Sequence, residues 1–149
     1  MNKFDGRRRV VGAALVLALA GFGGSSGVPA TIAAASCVRI SGGNFDAPGN
    51  DNYAANLNGE YVRIKNYCPT TKSMSGWKLH DYGRIHTYTF ASGFSLKAGV
   101  TVTVYTGRGT NSATRRYWGR TYGAVWNNDG DTAYLRNASG ALQSSWSGS

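Results

Sequence analysis

The sequence predicts an all-β domain, built as a sandwich or barrel of about eight short strands. Apolar residues alternate with polar ones from residue 37 onward, a period of two that is typical of half-buried strands. Gly, Asn and Asp interrupt this alternation at short intervals, and no window of about 12 residues keeps a helical repeat. Short strands separated by turn residues, without helices, favour a sandwich or a barrel over the other fold classes.

Residues 1–35 precede this pattern and have the composition of an export signal. Residues 1–9 contain one lysine and three arginines, and residues 10–19 are apolar except for Gly12. This apolar run is shorter than the roughly 20 residues that a membrane-spanning helix needs, and Ala33 and Ala35 fit a cleavage pattern. We therefore expect a signal peptide over 1–35 and a secreted or cell-surface-associated domain over 36–149, without a stable membrane span after processing. Arg7 and Arg8 also fit a twin-arginine signal, so both export routes stay open, and a retained anchor is the alternative.

The predicted mature domain is basic and contains both cysteines. Residues 36–149 hold 12 Lys and Arg against 6 Asp and Glu, and Cys37 and Cys68 are the two cysteines. In an oxidising compartment an even pair predicts a disulfide, and a closed loop of about 32 residues would stabilise the fold by roughly 3–4 kcal/mol. The alternative is a lipid-modified Cys37, although the preceding residues lack the leucine or valine usual at such sites.

The strand candidates follow from alternation and turn residues. In chain order they are 38–40, 60–66, 76–81, 86–90, 100–105, 122–126, 132–137 and 141–146. The alternation is clearest in 60–66, where Val62 and Ile64 share one face, and in 100–105, which places three valines inward. Trp77 is expected to be buried beside Leu79. Residues 127–130 and 137–140 predict hairpin turns, whereas 41–58 and 107–121 are predicted as long loops.

Five stretches in order resemble a known family, the lamin-tail domain, in the form found in secreted bacterial proteins. They are 57–66, 74–81, 88–90, 102–107 and 126–133. The resemblance implies an immunoglobulin-like β-sandwich that acts as a non-catalytic module. The two cysteines are not part of the general family pattern.

Two clusters of polar residues are candidates for metal binding or catalysis, and both have simpler explanations. Oxygen-bearing side chains gather at Asn127, Asn128, Asp129 and Asp131. Turn chemistry explains these residues, and a bidentate glutamate is missing, so we predict no metal site and no cofactor. The other cluster is His80, Asp81 and His86. Neighbouring strand residues point to opposite faces and no nucleophile motif accompanies them, so we predict that the protein is not an enzyme.

The segment 107–122 is the strongest candidate for binding, because basic and aromatic residues alternate there without an acid. The predicted polyanion-binding residues are Arg108, Arg115, Arg116, Tyr117, Trp118 and Arg120. Arginines attract phosphates, and aromatic rings can stack on bases or sugars. We expect a secreted, non-catalytic binding or structural module that acts at or outside the cell surface on a protein or a cell-envelope polymer. The alternative is binding of nucleic acid or another anionic polymer through 107–122.

Overall fold

The computed structural model describes residues 36–50 and 53–149, so the predicted signal segment lies outside the described residues. Ten strands form within these ranges. They are β1 (Val38–Asn44), β2 (Tyr61–Asn66), β3 (Lys72–Ser73), β4 (Lys78–His80), β5 (Thr87–Thr89), β6 (Ser95–Leu96), β7 (Thr101–Tyr105), β8 (Arg115–Tyr117), β9 (Asp131–Arg136) and β10 (Leu142–Gly148). Within these two ranges, no helix is long and apolar enough to cross a membrane.

Two four-stranded sheets make up the body of the domain. Sheet A has the strand order β1-β2-β7-β8, and sheet B has the order β10-β9-β4-β5, while β3 and β6 form a separate pair. Neighbouring strands are antiparallel except for β7 and β8, which run parallel. Two packed sheets of this kind form an immunoglobulin-like β-sandwich, which confirms the predicted fold class.

The alternation of apolar residues in β2 and β7 creates the inner face of sheet A. Val62 is paired with Val104, and Ile64 is paired with Val102, and all four side chains are buried. Sheet B contributes Leu79, Ala133 and Leu135 to the same core. Each fully buried aliphatic side chain of this size contributes about 1.5–3 kcal/mol through the hydrophobic effect.

The predicted disulfide is present and joins the ends of two paired strands. Cys37 directly precedes β1 and Cys68 follows β2, with a Cα–Cα distance of 5.1 Å. The bridge therefore fastens the edge strand β1 to the central strand β2. It also engages the Cys37 sulfur that a lipid would otherwise modify.

Aromatic packing differs from the prediction for Trp77. This residue is only half-buried, because it ends a turn in which its amide donates to the Met74 carbonyl at 3.0 Å, just before β4 begins. The tryptophan that the core encloses is Trp126, which is 2% exposed. Its ring stacks on Phe45 with centroids 4.7 Å apart.

The predicted strand over 122–126 is wrong. Only Tyr122 pairs, in an isolated bridge to Tyr53. Side chains occupy the backbone groups that a strand partner would need: the Glu60 carboxylate accepts from the Val125 amide at 3.2 Å, and Arg120 donates to the Gly123 carbonyl at 2.7 Å. Residues 127–130 consequently form a turn that leads from an irregular segment into β9, not a hairpin.

The other predicted hairpin is confirmed, since 137–140 joins β9 to β10. Strands β3, β6 and β8 were not predicted. The first two are only two residues long. Strand β8 lies inside the predicted long loop 107–121, where its arginines hide the alternation.

Candidate functional site

Strand β8 divides the predicted polyanion-binding residues between two faces of sheet A. Arg115 is paired with Thr103 and Tyr117 with Tyr105, so both side chains belong to the outer face of the sheet. Arg116 is paired with Val104 and belongs to the inner side. Its guanidinium carbon lies 4.0 Å from the centre of the Phe94 ring.

The three remaining predicted residues do not join Arg115 and Tyr117 on the outer face of sheet A. Trp118 packs against the core, with its ring 5.9 Å from Trp126 and 5.6 Å from Tyr88. Burial raises the pKa of Tyr88, and the charge of Arg116 opposes this effect.

Two arginines of the group lie on irregular backbone. Arg108 is exposed, and its carbonyl accepts from the Asn58 side chain at 2.9 Å. Arg120 is half-buried and held by its bond to Gly123. Of the six predicted residues, only Arg115 and Tyr117 share the outer face of sheet A.

The outer face of sheet A gathers basic and aromatic residues from four strands that are distant in sequence. Strands β1 and β2 supply further members, and Tyr67 follows β2. We call this surface the basic tyrosine face; its members are Arg39, Tyr61, Arg63, Lys65, Tyr67, Tyr105, Arg115 and Tyr117. The alternation in 60–66 places Tyr61, Arg63 and Lys65 on the face opposite to the inward valine and isoleucine, but local sequence does not connect them with 115–117. The sequence signal that could have found this surface is the set of outward residues in each alternating strand.

The strand registers align the charged members in rows across the sheet. Arg63 and Arg115 flank Thr103 in one row, and Arg39 lies opposite Lys65 in the next. In the described part of the chain, the outward positions of these four strands carry no acidic residue. Like charges placed directly opposite each other destabilise a sheet, so this arrangement costs some stability. A face that concentrates positive charge at such a cost is suited to an anionic partner.

Three of the four basic side chains of this face lie over tyrosine rings. The guanidinium carbon of Arg63 is 4.6 Å from the centre of the Tyr61 ring, and one of its nitrogens donates to the Tyr61 hydroxyl at 3.2 Å. Arg39 and Lys65 both lie over Tyr67, at 4.6 Å and 5.0 Å. Cation–π contacts of this kind hold flexible side chains in place and partly offset the repulsion between them.

The histidines and Asp81 form two separate arrangements. The Asp81 carboxylate accepts from the His86 amide at 2.9 Å and lies 2.8 Å from His86 Nδ1. His80 is buried and lies 2.8 Å from the Asp81 carbonyl through Nδ1, while its Nε2 accepts from Arg136 at 3.1 Å. His80 Nδ1 therefore carries the proton, and both ring nitrogens are used. Among the described residues, the hydrogen bonds of these histidines include no serine or cysteine that could act as a nucleophile.

The neutral state of His80 makes the stability of the domain depend on pH. Burial lowers the pKa of His80 below its ordinary value of 6.5. Below that pH the unfolded chain binds a proton that the folded chain resists, so stability is retained above about pH 6.5 and lost as the pH falls. Urea unfolding between about pH 7.5 and pH 5 should show this loss, at most about 1.4 kcal/mol per pH unit for one proton. The His80→Gln variant should show a flatter dependence, and an unchanged dependence would contradict the assignment.

The turn over 127–131 is held by the side chain of Asp131. The Asp131 carboxylate accepts from the amides of Tyr82, Asn127 and Thr132, at 3.2, 3.3 and 2.6 Å. In the part of the chain that the structure describes, no group of three His, Cys, Asp or Glu residues could hold a metal ion. The oxygen-rich cluster over 127–131 is thus explained by turn formation.

Comparison with known proteins agrees with the fold and with the resemblance in the five sequence stretches. The family model of the Lamin Tail Domain matches residues 31–148. A comparison with curated proteins finds no match for the chain. Because the family match spans most of the 149 residues, the resemblance is confirmed. The chain belongs to the lamin tail domain family.

Proposed function

We propose that this protein is an exported, non-catalytic binding module that holds an anionic polymer on its basic tyrosine face, at or outside the cell surface. The observation that carries the proposal is the outer face of sheet A, where four cations and four tyrosines lie together. The proposal keeps the polymer class expected from 107–122 but moves the contact surface. Arg115 and Tyr117 remain in it, and residues of β1, β2 and β7 replace the others.

Export is supported by the composition of residues 1–35 and by the disulfide. A basic segment over 1–9, an apolar segment over 10–19 and a small-residue cleavage pattern over 33–35 occur in this order before Ser36. The Cys37–Cys68 bridge suits an oxidising compartment, because disulfides are rare in the reducing cytosol.

A non-catalytic role is supported by the use of the titratable residues. His80 is neutral and bonded at both nitrogens, and Asp131 organises a turn. The family is a further reason, because the lamin tail domain is an immunoglobulin-like structural domain. Binding is then the activity that remains for an exposed, strongly basic surface.

The proposal predicts salt-sensitive binding that depends on the two arginines flanking Thr103. Protein purified from the culture medium, with intact mass defining its N-terminus near Ser36, should bind anionic polymers at low salt. The double variant Arg63→Ala/Arg115→Ala should bind more weakly, and its log–log salt slope should fall by about 1.4–1.8, because each lost phosphate contact removes about 0.7–0.9. Fluorescence anisotropy with a labelled polymer measures both quantities.

The matched control removes two exposed charges elsewhere. Lys78→Ala/Lys97→Ala changes the net charge equally, but Lys78 lies on β4 of sheet B and Lys97 in the turn before β7. This control should keep nearly the parental slope. Equal losses in both double variants, or no binding at low salt, would contradict the proposal and leave a protein partner as the remaining class.

A further inference from the structure

Three of the four tyrosines of the basic tyrosine face form a continuous ladder across three strands. Tyr61 and Tyr105 have ring centres 6.0 Å apart, and Tyr105 and Tyr117 have ring centres 5.3 Å apart. The first pair is tilted, with an angle of 58° between the ring planes, and the second pair is stacked, with an angle of 20°. The rings therefore stand side by side on the sheet and contact one another.

Both ends of this ladder are covered by the protein itself. At one end the Arg63 guanidinium lies over Tyr61. At the other end the Tyr117 ring lies against the main chain of Gly109, so closely that a Cβ at this position would overlap the ring. Gly109 is thus required for a close approach of backbone and ring. Outside the ladder, Arg39 and Lys65 both lie over Tyr67.

A covered ring is a poor platform for stacking. Proteins that bind single-stranded nucleic acid through stacking leave aromatic faces open for successive bases. In the ladder, the neighbours of each ring are other rings, a cation or backbone. Tyr67 is 47% exposed, and two cations lie over its ring. What the face still offers a ligand is the N–H groups of its cations and the edges of its tyrosines.

The width of sheet A, which has four strands, also limits contacts with the base edges of a duplex. The major groove of a duplex, where each base pair presents a distinct pattern, admits a helix or a two-stranded ribbon. The cations of this face are attached to regularly spaced backbone positions. Their Cα atoms lie about 7 Å apart for residues two apart on a strand, and about 10 Å apart when one strand lies between them. Such an array can contact several charged groups of one polymer at once.

We infer that the basic tyrosine face binds a phosphodiester-linked polymer through its phosphate groups alone, without stacking on bases or sugar rings. This inference rests on the proposed function. Three of the four cations are arginines, whose planar fork matches the oxygens of a phosphate. Contacts of Arg63 and Arg39 with tyrosines orient these forks before the ligand arrives, which lowers the entropy lost on binding.

The test compares two probes with equal numbers of phosphates. One is an oligothymidylate of about 16 nucleotides, the upper range for a single binding domain, and the other is an abasic oligonucleotide of equal length. The affinities should agree within about threefold, with equal salt slopes, because counterion release depends on phosphates and not on bases. An oligothymidylate bound more than about fivefold tighter would overturn the inference, since one stacked base already gives that factor.

Two further probes decide the chemistry of the ligand. Poly(glycerol phosphate), a phosphodiester polymer without bases, should bind with the salt slope of the abasic strand. Polyglutamate of matched charge should bind clearly more weakly, and equal binding would overturn the assignment to phosphate. Failure of all four probes at low salt would refute the proposed function itself, whereas a preference for bases or carboxylates would refute only this inference.

Discussion

Replacing Val102 with Asp should prevent the domain from folding. Val102 lies in the middle of β7, its side chain is fully buried, and it is paired with Ile64 across the sheet. An unpaired carboxylate there costs several kcal/mol, which is comparable with the whole stability of a small domain, about 5–15 kcal/mol. Circular dichroism and thermal melting of the purified variant measure the loss of the sandwich.

The neighbouring residue provides the matched control. Thr103 precedes Val104 on the same strand, but its side chain belongs to the outer face of sheet A. Thr103→Asp should therefore melt close to the parent. It should nevertheless weaken polyanion binding, because the new carboxylate would lie between Arg63 and Arg115. Equal melting temperatures for the two variants would show that the faces of β7 are assigned wrongly.

Removing the disulfide should cause the second large loss of stability. In the double variant Cys37→Ser/Cys68→Ser, the unfolded chain regains the entropy of an open loop of about 32 residues, a loss of about 3–4 kcal/mol in folding free energy. For a domain of this size the melting temperature should fall by roughly 10–20 °C. Calorimetry of both proteins measures this difference.

The exported parent protein supplies the control for the disulfide prediction. Its intact mass should correspond to the bridged form starting near Ser36, and reduction should add the mass of two hydrogens. A diacylglycerol adduct on Cys37, or two free thiols after export, would contradict both the bridge and the expected loss. A double variant that melts with the parent would contradict the loss alone.

Alternation of apolar and polar residues was enough to predict most of the sandwich. Strands β2 and β7 were evident because valine and isoleucine occupy every second position and lie inward. Segment 122–126 has similar residues, yet its amides and carbonyls bond to side chains of Glu60 and Arg120. The bond to Glu60 joins residues 65 apart and leaves no trace in local sequence, so a strand was predicted where the backbone is irregular.

The candidate site was harder to predict than the fold, because its residues meet only through strand pairing. Tyr61, Tyr105 and Tyr117 are far apart in sequence, and the third joins the ladder through a parallel strand of three residues. The local cluster of basic and aromatic residues favours 107–122 instead. It groups Arg115 with Trp118, which packs against the core. Only the strand register shows that neighbours in sequence lie on different faces of the sheet and that residues from different strands lie side by side.

The positions of the tryptophans give the protein two independent optical signals. All four tryptophans lie in the core or pack against it: Trp77, Trp118, Trp126 and Trp146. The ladder on the outer face of sheet A contains only tyrosines. Tryptophan emission should therefore follow unfolding of the sandwich and stay constant while a polymer binds to the basic tyrosine face. A titration that shifts tryptophan emission would reveal that the ligand disturbs the packing between the sheets.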